Sequence, residues 1–462
     1  MLIRFSCQNF RSIGKDPITL EMISSTEERK LSDHICKSSN SPKILRNAVI
    51  YGANASGKSN IIKAIKFLCD SVKNGRVSSI NSNDFCRSGE GLSNSESIFE
   101  MQLEVEGRIF DYGFGCLLNS SQITSEWLYE LKKSSVVLFE RNKDHKITIG
   151  DSLETEVSKS DNERLKIYKE DFEITSKENS SLLFLSFLNQ VKSFSKRSKL
   201  SVFKKVFNWF VSNINVVDFK DTIGAEFYSE SSTLDEVADV LASFDTGINK
   251  LVKKEISVEQ LNEMIPSFLI NNIKKDLDEA VREKNRIRTV IILRSNNNFI
   301  CVEKVGTDDP AVTVLSIKHE GSIFDFEYGD ESDGTKRLFD FLDMFFTKSR
   351  NTVFIVDELN RSLHPMLTKH LVELFNAKHS NDDCQLIFTT HENDIMSLDL
   401  FLREEIWFVE RNNQGCSKLF SLNKFDEIQS DTRLSKQYLM GRYGGIPILP
   451  LIITENNEYE EE

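Results

Sequence analysis

No apolar run in this chain approaches the roughly 20 residues needed to cross a bilayer; Ile446 to Ile453 is far too short. The opening Met1-Leu2-Ile3-Arg4-Phe5-Ser6 carries no hydrophobic core of a secretory signal, so a cytoplasmic protein without a membrane contact is expected. Paired cysteines are missing as well. The eight cysteines (Cys7, Cys36, Cys69, Cys86, Cys116, Cys301, Cys384, Cys416) are scattered with no C-x-x-C, which favours reduced thiols over a disulfide framework or a zinc site. An excess of positive charge is absent: the net charge is -13, so the whole molecule should not attract nucleic acid or anionic lipid. A local basic patch stays open. No repeat of solenoid period and no long linker is found. What remains is ordinary globular composition, 39% hydrophobic and 28% charged, over 462 residues. That length holds two or three domains' worth of core, or one large domain with an insertion.

The most informative stretch is Gly52-Ala53-Asn54-Ala55-Ser56-Gly57-Lys58-Ser59, which matches G-x-x-x-x-G-K-[ST]. The apolar run Ala48-Val49-Ile50-Tyr51 ahead of it suits a buried strand, and Ile61, Ile62, Ile65, Leu68 and Cys69 behind it repeat at helical spacing. Each residue type has a reason. Gly52 and Gly57 let backbone N–H groups turn inward around a phosphate. The helix opening near Lys58 aims its positive end at the same anion. Lys58 can reach the β- and γ-phosphates, and the Ser59 hydroxyl can ligate Mg²⁺.

Strands are expected at Leu2–Phe5, Asn9–Gly14 and Ile18–Glu21, then a Ser-rich loop over 24–41, and a second polar loop over 77–97. Ile98–Val105 alternates cleanly, Glu106-Gly107 makes a turn, and Ile109–Phe114 returns; further strands over 123–149 complete an antiparallel region. From Thr155 to Arg288 the chain is rich in Lys, Glu, Leu and Phe with almost no glycine, a helical insertion with its best apolar stripes at 182–187 and 203–210. Strands resume at 289–293 and 298–305. The division is therefore 1–154, 155–288, 289–430 and a segment 431–462 ending in an acidic tail.

Three further patterns bear on chemistry. Val353-Phe354-Ile355-Val356-Asp357-Glu358 is an apolar strand delivering Asp357 to a metal and Glu358 to a water as general base. Gln385–His391 is a second apolar strand, with the helix 366–375 between the two. Successive parallel strands bring their ends to one edge, so His391 should reach the γ-phosphate region. Glu331-Ser332-Asp333-Gly334-Thr335-Lys336 opens another helix with bare backbone N–H groups, a second anion grip that one nucleotide does not need. The economical explanation is closure over a nucleotide held by another copy.

In this order the phosphate loop, Ser-x-Gly-Thr signature, Asp-Glu, the loop 359–365 and His391 resemble the head of an ABC-type ATPase. Asn9-Phe10-Arg11-Ser12, the Gly-Ala-Asn-Ala-Ser-Gly-Lys-Ser loop and Gly441-Arg442-Tyr443-Gly444-Gly445-Ile446-Pro447 are similar to the SMC/RecF-like branch, specifically the AAA-type ATPases of bacterial abortive-infection systems in the RloA/AbiL-like group. The motifs bracket 1–118 and 320–400. The resemblance implies an α/β fold: a P-loop mixed sheet with an antiparallel β subdomain, carrying the helical insertion. It implies ATP and Mg²⁺ as cofactors, with Gly52, Asn54, Gly57, Lys58, Ser59 and Asn60 on the nucleotide and Ser59 and Asp357 on the metal. Glu358 and His391 would be catalytic, and Ser332, Gly334 and Thr335 would touch ATP across a homodimer of ATP-sandwiched heads, or a higher oligomer built from it. The signature departs from Leu-Ser-Gly-Gly-Gln, with Glu331 first and Asp333 at the first glycine. Gln102 and Gln190 are the candidates for the glutamine that usually links Mg²⁺ to an inserted domain.

The expected function is an ATP-hydrolysing switch in antiphage defence controlling a separate effector, a nuclease or toxin. The alternative is a RecF/SMC-like DNA-repair ATPase that binds nucleic acid directly through the insertion, where Lys192, Lys196, Arg197, Lys199, Lys204 and Lys205 form a basic cluster or simply a solvated helical face. Glu106-Gly107 fits a hairpin rather than a Toprim nuclease, which places the effector on another polypeptide.

Overall fold

The computed structural model describes residues 1–24, 31–37, 42–151, 153, 157–191, 194, 197–217, 226–228, 233–284, 288–294, 298–306, 309–347, 349–425 and 433–447. Lys192 and Lys196 of the basic cluster, the side chain of Gln190 and the acidic tail lie outside the described residues.

Three short apolar runs, Asn47–Gly52, Gln385–Thr389 and Val353–Val356, are buried along their whole length. Strands with both faces covered read as continuous hydrophobic runs, and these three lie side by side in parallel. They are the middle of a six-stranded sheet with the order Ser417–Ser421, Ile406–Arg411, Asn47–Gly52, Gln385–Thr389, Val353–Val356, Ile214–Val217. Only the Ser417–Ser421 edge runs antiparallel. Side chains alternate between two cores, as the period of two requires. Ala48, Ile50, Ile355 and Ile387 face one core with Ile61, Ile62, Ile65 and Leu68 of the helix Lys58–Asn74. Val49, Tyr51, Phe354, Val356, Leu386 and Phe388 face the other, with Leu371, Val372 and Phe375 of the helix Pro365–Lys378 and Leu338 and Phe341 of the helix Asp333–Phe346.

A second sheet is antiparallel throughout. Its seven strands run Ile18–Glu21, Leu2–Gln8, Ser97–Val105, Arg108–Leu117, Gln122–Leu131, Ser135–Arg141, Ile147–Ile149. The Glu106-Gly107 turn has positive φ at both residues, 52° and 77°, the geometry that a tight two-residue hairpin demands. Its inner face packs on the helix after the phosphate loop, with Phe67 and Phe99 ring centroids 4.7 Å apart. The fold is that of an ABC-ATPase head: a P-loop sheet with an antiparallel β subdomain.

The stretch 155–288 corrects the expectation of a purely helical insertion. Its helices Lys159–Glu178, Phe184–Val191 and Ser201–Ser212 are there, and the apolar stripes Leu183, Leu185, Phe203, Val206 and Phe210 join the core beneath the phosphate-loop helix rather than a core of their own. It also contains strands. Ile214–Val217 is the far edge of the P-loop sheet, paired with Val353–Val356. Ile248–Glu255 pairs with Ala311–His319 in a third, four-stranded sheet with Phe299–Val305 and Arg288–Arg294, covered by the helix Ser267–Lys284. Lys and Glu in Ile248–Glu255 had the composition of a helix, but strand partners distant in sequence decide. The strand Asn9–Gly14 is also replaced: Asn9 and Arg11 have φ of 52° and 53°, and the segment is a turn. None of the eight cysteines is in a disulfide. No helix among the described residues is long and apolar enough to cross a membrane.

Candidate active site

The three central strands point their C-terminal ends the same way, so the segments they lead into meet at one edge of the sheet. After Asn47–Gly52 comes the phosphate loop, after Val353–Val356 Asp357-Glu358, and after Gln385–Thr389 Thr390-His391. There Lys58 donates to the Gly52 carbonyl at 2.8 Å and the Ala53 carbonyl at 3.2 Å, and its Nζ lies 3.4 Å from His391 Nδ1. The other ring nitrogen of His391 is 2.9 Å from Glu358 Oε1. Lys58, His391 and Glu358 thus form one connected chain.

Charge balance is set by this packing. Burial lowers the Lys58 ammonium below the ordinary lysine value, with Glu358 and Asp357 working against the shift. Burial pushes the Glu358 carboxyl up, but the His391 hydrogen bond, the His391 charge and the Lys58 cation outweigh it and hold Glu358 below the ordinary glutamate value. A carboxylate kept ionised beside the Lys58 cation and the His391 hydrogen bond is ready for a proton once those two side chains turn to phosphate.

Thr389 organises the carboxylates. Its hydroxyl donates to Asp357 Oδ1 at 2.6 Å and accepts from the Glu358 N–H at 2.8 Å, while its carbonyl takes the Leu359 N–H at 3.0 Å. Glu358 itself has φ 53°, a left-handed backbone that costs an L-residue about 1–2 kcal/mol. Such strain persists where surrounding bonds enforce it, and here it turns the carboxylate off the strand line toward His391.

The phosphate loop is held from behind. Gly57 has φ 113°, and a Cβ there would lie 2.0 Å from Ser417 Oγ and 2.7 Å from Ser12 Oγ. Those hydroxyls make a clasp. Asn60 Nδ2 donates to Ser12 Oγ at 2.7 Å, the Ser12 and Ser417 oxygens are 2.7 Å apart, and Ser417 donates to the Ser56 carbonyl at 2.6 Å. A carbonyl can only accept, so the proton between the two serines comes from Ser12. The structure commits the Asn60 amide to this clasp, although the sequence points it at nucleotide. Asn54 is exposed at the loop tip, and Ser59 is half-buried at the helix start.

The residues fit ATP with Mg²⁺. Ser56 Oγ is buried without a hydrogen-bond partner, Lys58 is turned onto its own loop, and the glycine cradle has no room for a Cβ. The metal would be held by Ser59 and Asp357, and bound there would neutralise phosphate charge. Ser332 caps the helix Asp333–Phe346 by accepting from the Thr335 N–H at 3.1 Å, and the Thr335 hydroxyl turns inward, 2.9 Å from Ser332 Oγ. A Cβ on Gly334 would lie 2.9 Å from the Ser362 carbonyl, so the signature packs on the loop after Glu358. The Ser332 hydroxyl bonds within its own helix turn, to Thr335, and the space beside Gly334 is bounded by Ser362 and Ser332. The Gln102 amide donates to Asp111 Oδ2 at 2.9 Å on the neighbouring antiparallel strand.

Sequence reasoning alone does not reach Ser12, Ser417 or Thr389 as site residues. For Thr389 a signal exists, a hydroxyl at the end of an apolar strand next to Thr-His. Ser417 has none, because its partners are 361 and 405 residues away.

A nucleotide cradle, two carboxylates and a histidine at the shared edge of a parallel sheet define an ABC-type ATPase domain. The family is narrower than the class: residues 48–397 match the one described as "AAA domain, putative AbiEii toxin, Type IV TA system", and the chain belongs to it. Among solved structures the chain is similar to the SmcHead bound to the C-winged helix domain of ScpA (14% identity, TM-score 0.41, covering 91% of this chain and 97% of that one). It is similar also to the SMC head domain from Thermotoga maritima (14% identity, TM-score 0.40, 91% of this chain and 98% of that one). No curated protein matches it.

Proposed function

We propose that this ATPase is a switch: two copies close head to tail around two ATP molecules, and the closed state controls a separate effector, a nuclease or toxin, in an antiphage system of the RloA/AbiL-like kind. The observation that supports it is the Lys58–His391–Glu358 chain. Without nucleotide the base is tied to His391. When Lys58 and His391 turn to a γ-phosphate, Glu358 is released to take a proton from the attacking water; Ser59 and Asp357 would hold Mg²⁺, which would neutralise phosphate charge. The signature at Ser332 and Gly334 would complete the pocket from the second copy, so closure requires ATP and hydrolysis ends it.

Direct DNA binding by a RecF-like repair ATPase has less support. Lys205 of the basic cluster is spent on Glu106, 2.5 Å away.

The test is Glu358→Gln with ATP and Mg²⁺. It should bind ATP as the parent does, turn over at least about 100-fold more slowly and accumulate as a dimer in sedimentation velocity. Hydrolysis at the parent's rate removes Glu358 as the base. Co-purification with the product of the neighbouring gene, with and without ATP, tests the effector.

A further inference from the structure

The most exposed large apolar side chains near the signature are Ile323, 91% exposed, and Phe324, 80% exposed. They sit at the tip of a loop with a fixed base. The Ile317 and Phe326 backbones exchange hydrogen bonds of 2.9 and 2.8 Å, and the Ser316 hydroxyl donates to Asp325 at 2.9 Å. His319 sets its ring edge-on to that of Phe326, with centroids 4.8 Å apart, and places Nε2 2.7 Å from Glu331, the residue before Ser332. The apolar tip is therefore a rigid knob anchored to the signature, and exposing it to water has no benefit to a free monomer.

Beside the phosphate loop is a hole for it. A cavity of about 330 Å³ adjoins that loop, bounded by Asn54 and His391 on one flank and by Leu439, Ile446 and Pro447 on the other. Its wall is also rigid. Tyr438 donates its hydroxyl to the Gly445 carbonyl at 2.9 Å, its ring stacks on Phe408 at 5.5 Å, and the Gly445 backbone lies against Gly52. Charge agrees with shape. Residues 320–333 carry six acids and no Lys or Arg; residues 433–447 carry Arg433, Lys436 and Arg442 and no acid.

We infer that the Ile323–Phe324 knob of one copy inserts into the Leu439–Pro447 cavity of the second copy. This deepens the ATP-sandwich reading and rests on it: the signature that faces a partner's γ-phosphate carries the knob to a cavity beside that same phosphate. Opposite charges around both would set the register. The knob then ties dimer affinity to the nucleotide-bound arrangement, because its cavity shares Asn54 and His391 with the γ-phosphate site.

The experiment uses the full chain in the Glu358→Gln background with ATP and Mg²⁺. Ile323→Ser with Phe324→Ser should leave ATP affinity of dilute, single heads unchanged and raise the dimer dissociation constant by at least about tenfold, as loss of a buried aromatic anchor does. Leu439 replaced by photo-crosslinking benzoylphenylalanine, in light chain mixed with isotopically heavy chain, should form ATP-dependent adducts with residues 320–327 of the other copy. If the dimer forms but the double variant dimerises as tightly as its parent and no such adduct appears, the docking is wrong while the sandwich stands. Adducts to residues 448–462 of the same copy would assign the cavity to the chain's own acidic end and overturn the inference. If no ATP-dependent dimer forms at all, the sandwich and the docking fall together.

Discussion

Replacing Ser417 with alanine should cost this protein its grip on ATP, although Ser417 is expected to touch no nucleotide. The residue is 4% exposed, and its hydroxyl stands between the Ser12 hydroxyl and the Ser56 carbonyl. Without it, the Ser12 hydroxyl keeps Asn60 but loses the acceptor for its proton, and the Ser56 carbonyl loses the Ser417 donor. Each such loss costs about 1–3 kcal/mol. Partial relaxation of the loop brings the sum to about 2–3 kcal/mol, which falls on the phosphate-gripping shape; at 1.4 kcal/mol per decade this is a roughly 30- to 150-fold weaker Kd for ATP. Isothermal titration calorimetry on parent and Ser417→Ala, each in the Glu358→Gln background, measures it. Gly57→Ala supplies the second corner of a double-mutant cycle. Alone it drives a Cβ to 2.0 Å from Ser417 Oγ and should abolish binding; on top of Ser417→Ala it should do less harm than the sum of the two. If Ser417→Ala binds ATP within about twofold of the parent and melts at the same temperature, the clasp does not shape the loop and the reasoning fails.

Lys58→Ala should remove ATP binding by calorimetry while leaving a folded protein, since burial already disfavours the Lys58 charge in the empty site. Thr389→Val keeps shape but removes the Thr389 hydrogen bonds to Asp357 and to the Glu358 N–H, costing about 1–3 kcal/mol; kcat should fall further than ATP affinity, and equal losses would contradict the positioning role. The depressed Glu358 carboxyl contributes stability that is fully present above its unfolded value and lost as pH falls through its folded value. Thermal unfolding followed against pH should therefore show the parent losing stability more steeply below the ordinary glutamate value of 4.5 than Glu358→Gln does, and parallel curves would refute it.

The parts of the site that could be read from the chain were those built by neighbours in sequence. The phosphate loop lies between its own strand and helix, and Asp357-Glu358 and His391 come directly after apolar runs whose parallel packing is implied by their uniform burial. Distance in the chain hid the rest. Ser12 and Ser417 are ordinary serines until a 405-residue gap is closed. Ile214–Val217 is four residues long and becomes a strand only because Val353–Val356 offers it an edge. The left-handed Glu358 could not be foreseen, since glutamate has no preference for that backbone and the Thr389 contacts impose it.

The clasp also sets an order of events during synthesis. Residues 52–59 are made hundreds of residues before position 417, whose hydroxyl braces them, and before the strand Ile406–Arg411 that flanks theirs. Until position 417 is made, a growing chain therefore carries a recognisable nucleotide-binding motif without a finished nucleotide pocket. The ability to be switched on arrives only when residues 406–421 have emerged and folded back upon the loop made so long before.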